Sequence, residues 1–366
     1  MKGIFKHQIF LMKLGLGLYK SLLTERNFKF ARQAGATHLV VQLVDYIKGG
    51  DNPSLMRNYN DGWGITENEG KLWSYDYLSS LKKQIESHGL TLEAIENFDP
   101  SHWYDILLDG PKKERQMEDL KTIIRNVGKA GIPIMGYYFS LAGVWGWSPS
   151  ESGRGGAKSV EFVLDNIDPD TPIPEGMVWN MVYNTDKSAN TVSEVSREEI
   201  WQRYAYFLKE IIPVAEECGV MMAAHPDDPP VPRLRGTARL FYLTSEYEKL
   251  LGVVDSPSNG FELCMGTVQE MADGDIYTLL DKYLRLNKIG YIHFRNVKGK
   301  VPHYREVFVD EGDIDMIKAL GILKKNSYNG VLIPDHTPEM SCDAAWHAGM
   351  AYALGYMKGA MQALQI

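Results

Sequence analysis

The chain has 366 residues, of which 44% are hydrophobic and 23% charged, a balance typical of soluble globular proteins with a large core. It contains no apolar run of about 18 residues, and its net charge of −8 comes without a basic cluster. We therefore expect neither a membrane nor a nucleic acid as a partner. Three widely separated cysteines exclude a disulfide framework and predict reduced thiols in the cytoplasm.

Residues 1–11 carry only a short apolar stretch and no small-residue cleavage site, so we expect no secretory signal there. We predict them to be an N-terminal extension to a single domain over residues 12–366. In that domain short β-type runs alternate with helical patterns, which is typical of parallel βαβ units. The predicted strands are mostly apolar on both faces, as buried parallel strands are, and they cover residues 13–18, 38–43, 91–97, 133–139, 220–226, 261–266, 291–296 and 330–336.

Helical patterns lie between these runs. Ser196 and Glu199 have the spacing of a capping box at the start of one helix, and we expect the last helix over residues 343–365. Eight strand–helix pairs without a linker predict an α/β fold, a single (β/α)8 TIM barrel. The alternative is an open doubly wound sheet, but the first strand lacks the GxGxxG entry to a helix, and we expect no nucleotide cofactor.

Two long insertions follow the second and fourth predicted strands, over residues 48–75 and 140–195. Both leave the carboxyl ends of strands, where barrels build their active sites. The glycines and tryptophans of GVWGWSPSESGRGG in the second insertion suit a mobile lid over a small ligand. A surface elaboration or a subunit contact is an equally good interpretation.

Four candidate metal ligands occupy equivalent places near the ends of the last four strands: His225, Cys264, His293 and Asp335. In a closed barrel, adjacent strand ends converge on one pocket at the axis. Two imidazoles, a thiolate and a carboxylate are competent ligands for zinc, iron, manganese or cobalt. Taken singly, Cys264 also fits a small core residue, the histidines fit interior polar groups, and Asp335 fits a helix cap.

The segment AHPDDPPVP after the fifth strand predicts a stiff loop, because its four prolines fix the backbone beside His225. Asp227 and Asp228 in this loop are candidates to orient the imidazoles or to bind substrate hydroxyls. A solvated turn is the simpler interpretation of these two residues.

Several segments, in this order, resemble the mannonate dehydratase family: HPDDPP (225–230), DSPSNGFELCMGT (255–267), HFRNVK (293–298) and PDH (334–336). The segment IIRNVGKAGIPIMGYYF (123–139) is similar to the family's fourth strand region. The resemblance implies a xylose-isomerase-like barrel that removes water from D-mannonate to give 2-keto-3-deoxy-D-gluconate. It also implies Mn²⁺ or Fe²⁺ as cofactor, with Co²⁺ or Zn²⁺ as alternatives.

Matched by motif, the family's metal ligands fall on the same four residues as above, and its catalytic histidine falls on His336. A histidine can move a proton near neutral pH, either from C2 or to the departing hydroxyl. We take His336 and Asp228 as candidate catalytic residues. Candidate substrate contacts are Arg295 and Lys298 to the carboxylate and Asn296, Asp227 and Tyr137 to hydroxyls, with Tyr138, Glu96 and Asn97 as further strand-end candidates.

The sequence departs from the family pattern after PDH, where an RPGYGLYDR-like stretch normally supplies a catalytic tyrosine. Here the chain reads PDHTPEMSCDAAWHAGM, and that tyrosine has no clear counterpart. The WTRT-like segment after the fourth strand is also altered, to GVWGWSPS. These differences concern substrate and acid catalysis, whereas the ligands are kept.

The leading hypothesis is therefore a sugar-acid dehydratase with a small-molecule partner, expected as a homodimer or homotetramer. The same ligands also suit a metal-dependent isomerase or epimerase of the xylose-isomerase-like group. A third hypothesis is a sugar-acid-binding barrel without turnover.

Overall fold

The structure is a computed structural model that describes residues 12–44, 64–66, 70–186 and 188–366. The N-terminal extension predicted over residues 1–11 lies outside these ranges, as does most of the first insertion. Across the described ranges, no helix combines the length and the apolar character needed to cross a membrane.

Eight parallel strands close into a barrel, which confirms the predicted fold. Each strand pairs with its neighbours in the sequence, and the eighth pairs with the first. The strands are β1 Lys13–Leu18, β2 His38–Gln42, β3 Thr91–Glu96, β4 Ile134–Tyr137, β5 Met221–Ala224, β6 Asn259–Cys264, β7 Ile289–His293 and β8 Val331–Ile333.

A long helix follows each strand on the outside of the barrel. The predicted capping box is present, since Ser196 and Glu199 bond each other's backbone N–H groups at the start of the fourth helix. The helices are α1 Glu25–Ala34, α2 Tyr75–Glu86, α3 Lys113–Lys129, α4 Arg197–Glu217, α5 Glu246–Val253, α6 Ile276–Arg285, α7 Met316–Lys325 and α8 Ala345–Leu364. Shorter helices cover Tyr104–Leu108 and Met265–Glu270.

The inside of the barrel changes from apolar to polar along each strand. A small apolar cluster fills its middle, formed by Val40, Ala94, Ile134, Ala223, Tyr291, Val331 and Ile333. Because side chains alternate along a strand, the residue two positions further on points the same way. That rule places Gln42, Glu96, His225, His293 and Asp335 together at the carboxyl end, directly above the cluster.

The second insertion folds into ordered structure at the carboxyl end of the barrel and forms one wall there. Its strands Trp147–Ser150 and Ser159–Val163 pair with a hairpin that follows β7, made of Asn296–Lys300 and His303–Val307, to give a four-stranded antiparallel sheet. The strand Met181–Val182 also pairs with Gly64–Ile65 of the first insertion. The segment proposed as a lid is thus a structured wall in this state of the protein.

Candidate functional site

An open cavity lies at the carboxyl end of the barrel. The lining combines strand-end polar groups with aromatic side chains from the second insertion: Tyr19, Gln42, Glu96, Asn97, Tyr138, Val144, Trp147, Trp179, His225, Asp228, His293, Asp335 and His336.

Three of the four predicted metal ligands meet at the base of this cavity. One ligating atom each of His225, Cys264 and His293 lies within 4.8 Å of the other two. The fourth, Asp335, has its Oδ2 atom 3.3 Å from Nδ1 of His293. Two imidazoles, a thiol and a carboxylate around one point form a donor set that fits a divalent transition metal.

The imidazole contacts indicate which nitrogen of each ring faces the cluster. His225 Nδ1 lies 2.6 Å from the carbonyl oxygen of Pro226, so the proton belongs on Nδ1 and Nε2 is left to bind a metal. His293 Nδ1 is buried beside Asp335 and makes no hydrogen bond. A buried nitrogen without a partner is costly in a folded protein unless a ligand satisfies it.

The charges around Cys264 and Asp335 favour the ionised forms that bind metals. Burial alone would raise the pKa of the Cys264 thiol, but the Arg295 charge and the two neighbouring histidines lower it to about 5. For Asp335, burial is likewise outweighed by the two neighbouring histidines and Arg295, which hold its pKa well below the usual range.

His336 lies beside this cluster and faces the cavity. Its Nδ1 is 3.1 Å from Oε1 of Glu306, and its Nε2 is 3.3 Å from Oδ1 of Asp335. The ring of Trp147 packs edge-on against it, with ring centres 5.8 Å apart. Burial lowers the pKa of His336, but the two carboxylates more than compensate and raise it above the usual value.

Arg295 holds the site together from beneath the cavity. Its Nη2 lies 2.6 Å from Oδ2 of Asp228, 2.8 Å from the Thr267 hydroxyl and 3.3 Å from Sγ of Cys264, and Nη1 donates to Glu306. With Nη1 and Nη2 engaged in this way and only 2% of its side chain exposed, the guanidinium does not line the cavity. Arg295 is therefore placed to position ligands rather than to clamp a substrate carboxylate.

Asp228 lines the cavity and is itself firmly held. Its carboxylate accepts hydrogen bonds from Arg295, from the Thr267 hydroxyl at 3.0 Å and from the Tyr304 hydroxyl at 2.7 Å. Burial would raise the pKa of Asp228, but Arg295 and these hydrogen bonds lower it. An ionised carboxylate of low basicity suits binding a hydroxyl better than removing a proton.

Three predicted substrate contacts lie elsewhere. Tyr137 points outward from β4, where its hydroxyl bonds that of Tyr204 on α4 at 2.8 Å, and the next residue, Tyr138, faces the cavity instead. Asn296 uses its side-chain amide to bond backbone groups of Val309 and Ile314. Lys298 is about a third exposed, with Nζ 3.6 Å from Glu311.

Asp227, another predicted substrate contact, is a buried structural group. Its Oδ2 accepts hydrogen bonds from the backbone N–H groups of Leu240 and Phe241 at 2.7 and 2.8 Å. Its Oδ1 lies 3.0 Å from Nε of Arg239, and both side chains are at most 2% exposed. These contacts fold the loop after β5 back on itself.

We expect Asp227→Asn to lower the free energy of unfolding by about 3 kcal/mol, because it leaves the buried Arg239 charge without its carboxylate. Urea unfolding measures this loss, and KM for the substrate should stay within about twofold on the folded fraction. Asp228→Asn, one residue on and facing the cavity, is the matched comparison. A raised KM with unchanged stability for Asp227→Asn would restore it as a substrate contact.

Some residues of the site were not predicted from the sequence. Tyr19 follows β1 and lines the cavity, and burial together with the nearby carboxylates of Asp335 and Glu96 raises its pKa, so it remains a phenol. Gln42, the last residue of β2, also lines the cavity. The available signal was a polar residue that ends an apolar strand, which was used for the last four strands but not for the first two.

Comparison with known proteins identifies the family of this chain. A family model for D-mannonate dehydratase (UxuA) matches residues 31–366. A mannonate dehydratase of Streptococcus pneumoniae is 32% identical over 279 residues, covering 73% of this chain and 75% of the relative. One of Thermotoga neapolitana is 30% identical over 287 residues, covering 73% of this chain and 78% of the relative.

Solved structures agree as well. The crystal structure of mannonate dehydratase from Streptococcus suis serotype 2 has a TM-score of 0.73 and 25% identity, and each chain covers 96% of the other. A D-psicose 3-epimerase from Clostridium cellulolyticum shares the fold alone, with a TM-score of 0.54, 14% identity and coverage of 96% and 99%. By sequence over most of its length and by structure, this chain belongs to the mannonate dehydratase family.

Proposed function

We propose that this protein is a metal-dependent dehydratase that converts D-mannonate to 2-keto-3-deoxy-D-gluconate and water. The observation that carries the proposal is the cluster of His225, Cys264 and His293, within 4.8 Å of one another, at the base of a cavity that His336 also lines. Asp335 completes the ligand set. We assign the metal as Mn²⁺ or Fe²⁺, with Co²⁺ and Zn²⁺ as alternatives, because the mixed donor set suits all four.

The reaction removes a proton from C2 and the hydroxyl from C3. A divalent ion bound by these residues supplies a Lewis acid for the negative charge that develops next to the substrate carboxylate. His336 holds a proton beside the cavity, since Asp335 and Glu306 raise its pKa. We assign it to pass that proton to the departing 3-hydroxyl, and the neutral imidazole that remains takes up the proton lost from C2, so the ring ends the reaction protonated.

Other groups bind and orient the substrate. The Tyr19 phenol can donate a hydrogen bond to a substrate oxygen, and the ionised Asp228 can accept one from a hydroxyl. Trp147 and Trp179 of the second insertion supply apolar walls that limit water around the reacting carbons. Trp147 also keeps the His336 ring in place by its edge-on contact.

The direct test incubates the purified protein, loaded anaerobically with Mn²⁺, with D-mannonate and detects the 2-keto-3-deoxy acid with semicarbazide. We expect product with metal and none after chelation. A panel of other hexonates, repeated with Fe²⁺, Co²⁺ and Zn²⁺, is the control for substrate and metal. No product from any hexonate would overturn the proposal.

The same incubation in heavy water separates the alternatives. Deuterium uptake into the sugar without loss of water would identify an isomerase or epimerase. Tight hexonate binding without either reaction would identify a sugar-acid-binding barrel.

A further inference from the structure

A second layer of polar side chains lies directly beneath the ligand cluster, inside the barrel. Glu262 precedes Cys264 on β6 by two residues, so both point inward, with Glu262 one layer deeper. Its side chain is fully buried. Nothing in the proposed chemistry uses this carboxylate, although a buried carboxylate is costly to keep unless it serves a partner.

The partner of Glu262 is the lower side of the His293 ring. His293 Nε2 lies 2.9 Å from Oε1 of Glu262, an oxygen that no other hydrogen bond in the described residues satisfies, and it also forms a 3.3 Å hydrogen bond with Oε2 of Glu96. The opposite nitrogen, Nδ1, faces Asp335 at 3.3 Å. The imidazole therefore spans from the deeper carboxylates to the ligand cluster.

The rest of the layer fixes Glu262 in this position. The Tyr291 hydroxyl donates to its Oε2 atom, which leaves Oε1 for His293. Gly136 on β4 makes room for the pair, because a Cβ atom there would lie 2.2 Å from the Tyr291 hydroxyl oxygen and 2.8 Å from Oε2 of Glu262. Glu96 accepts a hydrogen bond from the Gln42 amide on Oε1 at 2.7 Å, and its Oε2 is the second, more distant acceptor at His293 Nε2, at 3.3 Å.

We infer that Glu262 is the positioning residue of the metal site. It accepts the Nε2 proton of His293, fixes the tautomer that leaves Nδ1 free to bind the ion, and holds the ring at the angle that the cluster requires. Carboxylates that orient a ligating histidine in this way typically contribute 10- to 100-fold in metal affinity. His225 is held by a different acceptor, the Pro226 carbonyl, and binds through the opposite nitrogen.

This inference rests on the proposed metal site and is tested by metal binding rather than by turnover. Titration of the full-length protein with Co²⁺ alone, followed by the thiolate-to-cobalt absorption, gives the affinity. We expect Glu262→Leu to weaken Co²⁺ binding by about 100-fold. Glu262→Gln, which keeps an acceptor oxygen, should retain most of the Co²⁺ affinity that Glu262→Leu loses. Glu93→Gln, a buried barrel carboxylate at the opposite end beside Lys13, should bind as the unaltered chain does.

Histidine tautomers in the unaltered chain give a second readout. In the Zn²⁺-loaded protein, nitrogen-15 histidine spectra should contain one ligating ring bound through Nδ1 and protonated on Nε2. His293→Gln assigns that ring. If both ligating rings bind through Nε2, or if Glu96→Gln weakens Co²⁺ binding while the Glu262 variants do not, the inference is overturned.

The two proposals fail in different ways. Cobalt–thiolate absorption without dehydration of any hexonate would refute the proposed reaction and leave the role of Glu262 open to the same measurements. Dehydration with unchanged Co²⁺ affinity in both Glu262 variants would refute only the role of Glu262. A chain that gives no cobalt–thiolate absorption would refute the metal site and, with it, this inference.

Discussion

Cys264→Ser should leave the protein folded but lower its metal affinity by at least about 100-fold. Loss of a ligand should weaken metal binding more than loss of a residue that only orients a ligand, which typically costs 10- to 100-fold. The reason is the state of the thiol. Although burial opposes ionisation, the Arg295 guanidinium, with Nη2 3.3 Å from Sγ, helps to lower the pKa of Cys264 to about 5. A thiolate is therefore present at neutral pH, whereas a serine hydroxyl stays protonated and binds transition metals weakly.

Metal content measured by elemental analysis after anaerobic loading checks this expectation, and dehydration of D-mannonate should fall in proportion. Serine is close in size to cysteine, and its hydroxyl can still accept from the Thr267 N–H, which lies 3.5 Å from Sγ at the start of the Met265–Glu270 helix. Cys218→Ser, which alters a partly exposed thiol at the end of α4, is the matched control. Unchanged metal stoichiometry in Cys264→Ser would remove the thiolate from the ligand set.

The barrel was predictable because its signal is periodic and local. Each strand is a short apolar run bounded by turn residues, and each helix carries its apolar residues at helical spacing. The approach of His225, Cys264 and His293 also followed from sequence, because the barrel brings the carboxyl ends of neighbouring strands together. Their long separation along the chain did not matter once the strand ends were located.

Whether an individual side chain points into the barrel or outward was harder to predict. Tyr137 and Tyr138 stand at the end of β4, and an error of one residue in strand phase exchanges the inside of the barrel for the outside. The structure places Tyr138 in the cavity and Tyr137 against α4. Two adjacent tyrosines give no sequence signal that selects between these phases.

Buried polar residues were the second place where the predicted site and the structure differ. Asp227 and Asn296 have the residue types of a sugar site, but their partners are backbone groups 13 to 18 positions further along the chain. Such contacts exist only once the loops have folded. By contrast, Glu262 was detectable in principle, because a charged residue two positions before a candidate ligand on a buried strand must share its face.

The altered segment after His336 raises the question of which phenol reaches the cavity. The chain has no clear counterpart there for the family's tyrosine, but Tyr19 brings a phenol into the cavity from β1, at the opposite end of the sequence. Burial and nearby carboxylates keep this phenol protonated. Tyr19 and His336, whose neighbouring carboxylates favour its protonated form, are the candidate proton carriers of the cavity, and the larger catalytic effect is expected at His336.

His336→Gln should lower kcat by about 100- to 10,000-fold, the usual contribution of a proton-transferring side chain, while metal content stays unchanged. Glutamine retains a donor for Glu306, whose Oε1 lies 3.1 Å from His336 Nδ1, so the site should keep its shape. The raised pKa of His336 sets the pH dependence: the protonated form is the active acid, so kcat of the unaltered chain should fall as the pH rises through that pKa.

The His336→Gln variant should lack this alkaline decline in whatever activity remains, which a purely structural defect would not produce. Steady-state assays from pH 6 to about pH 10, with elemental analysis of the same samples, measure both effects. Loss of metal as large as in Cys264→Ser would make His336 a ligand instead of a proton donor. A kcat within about twofold of the unaltered chain would require another group to protonate the leaving hydroxyl, and Tyr19 would be the first to examine.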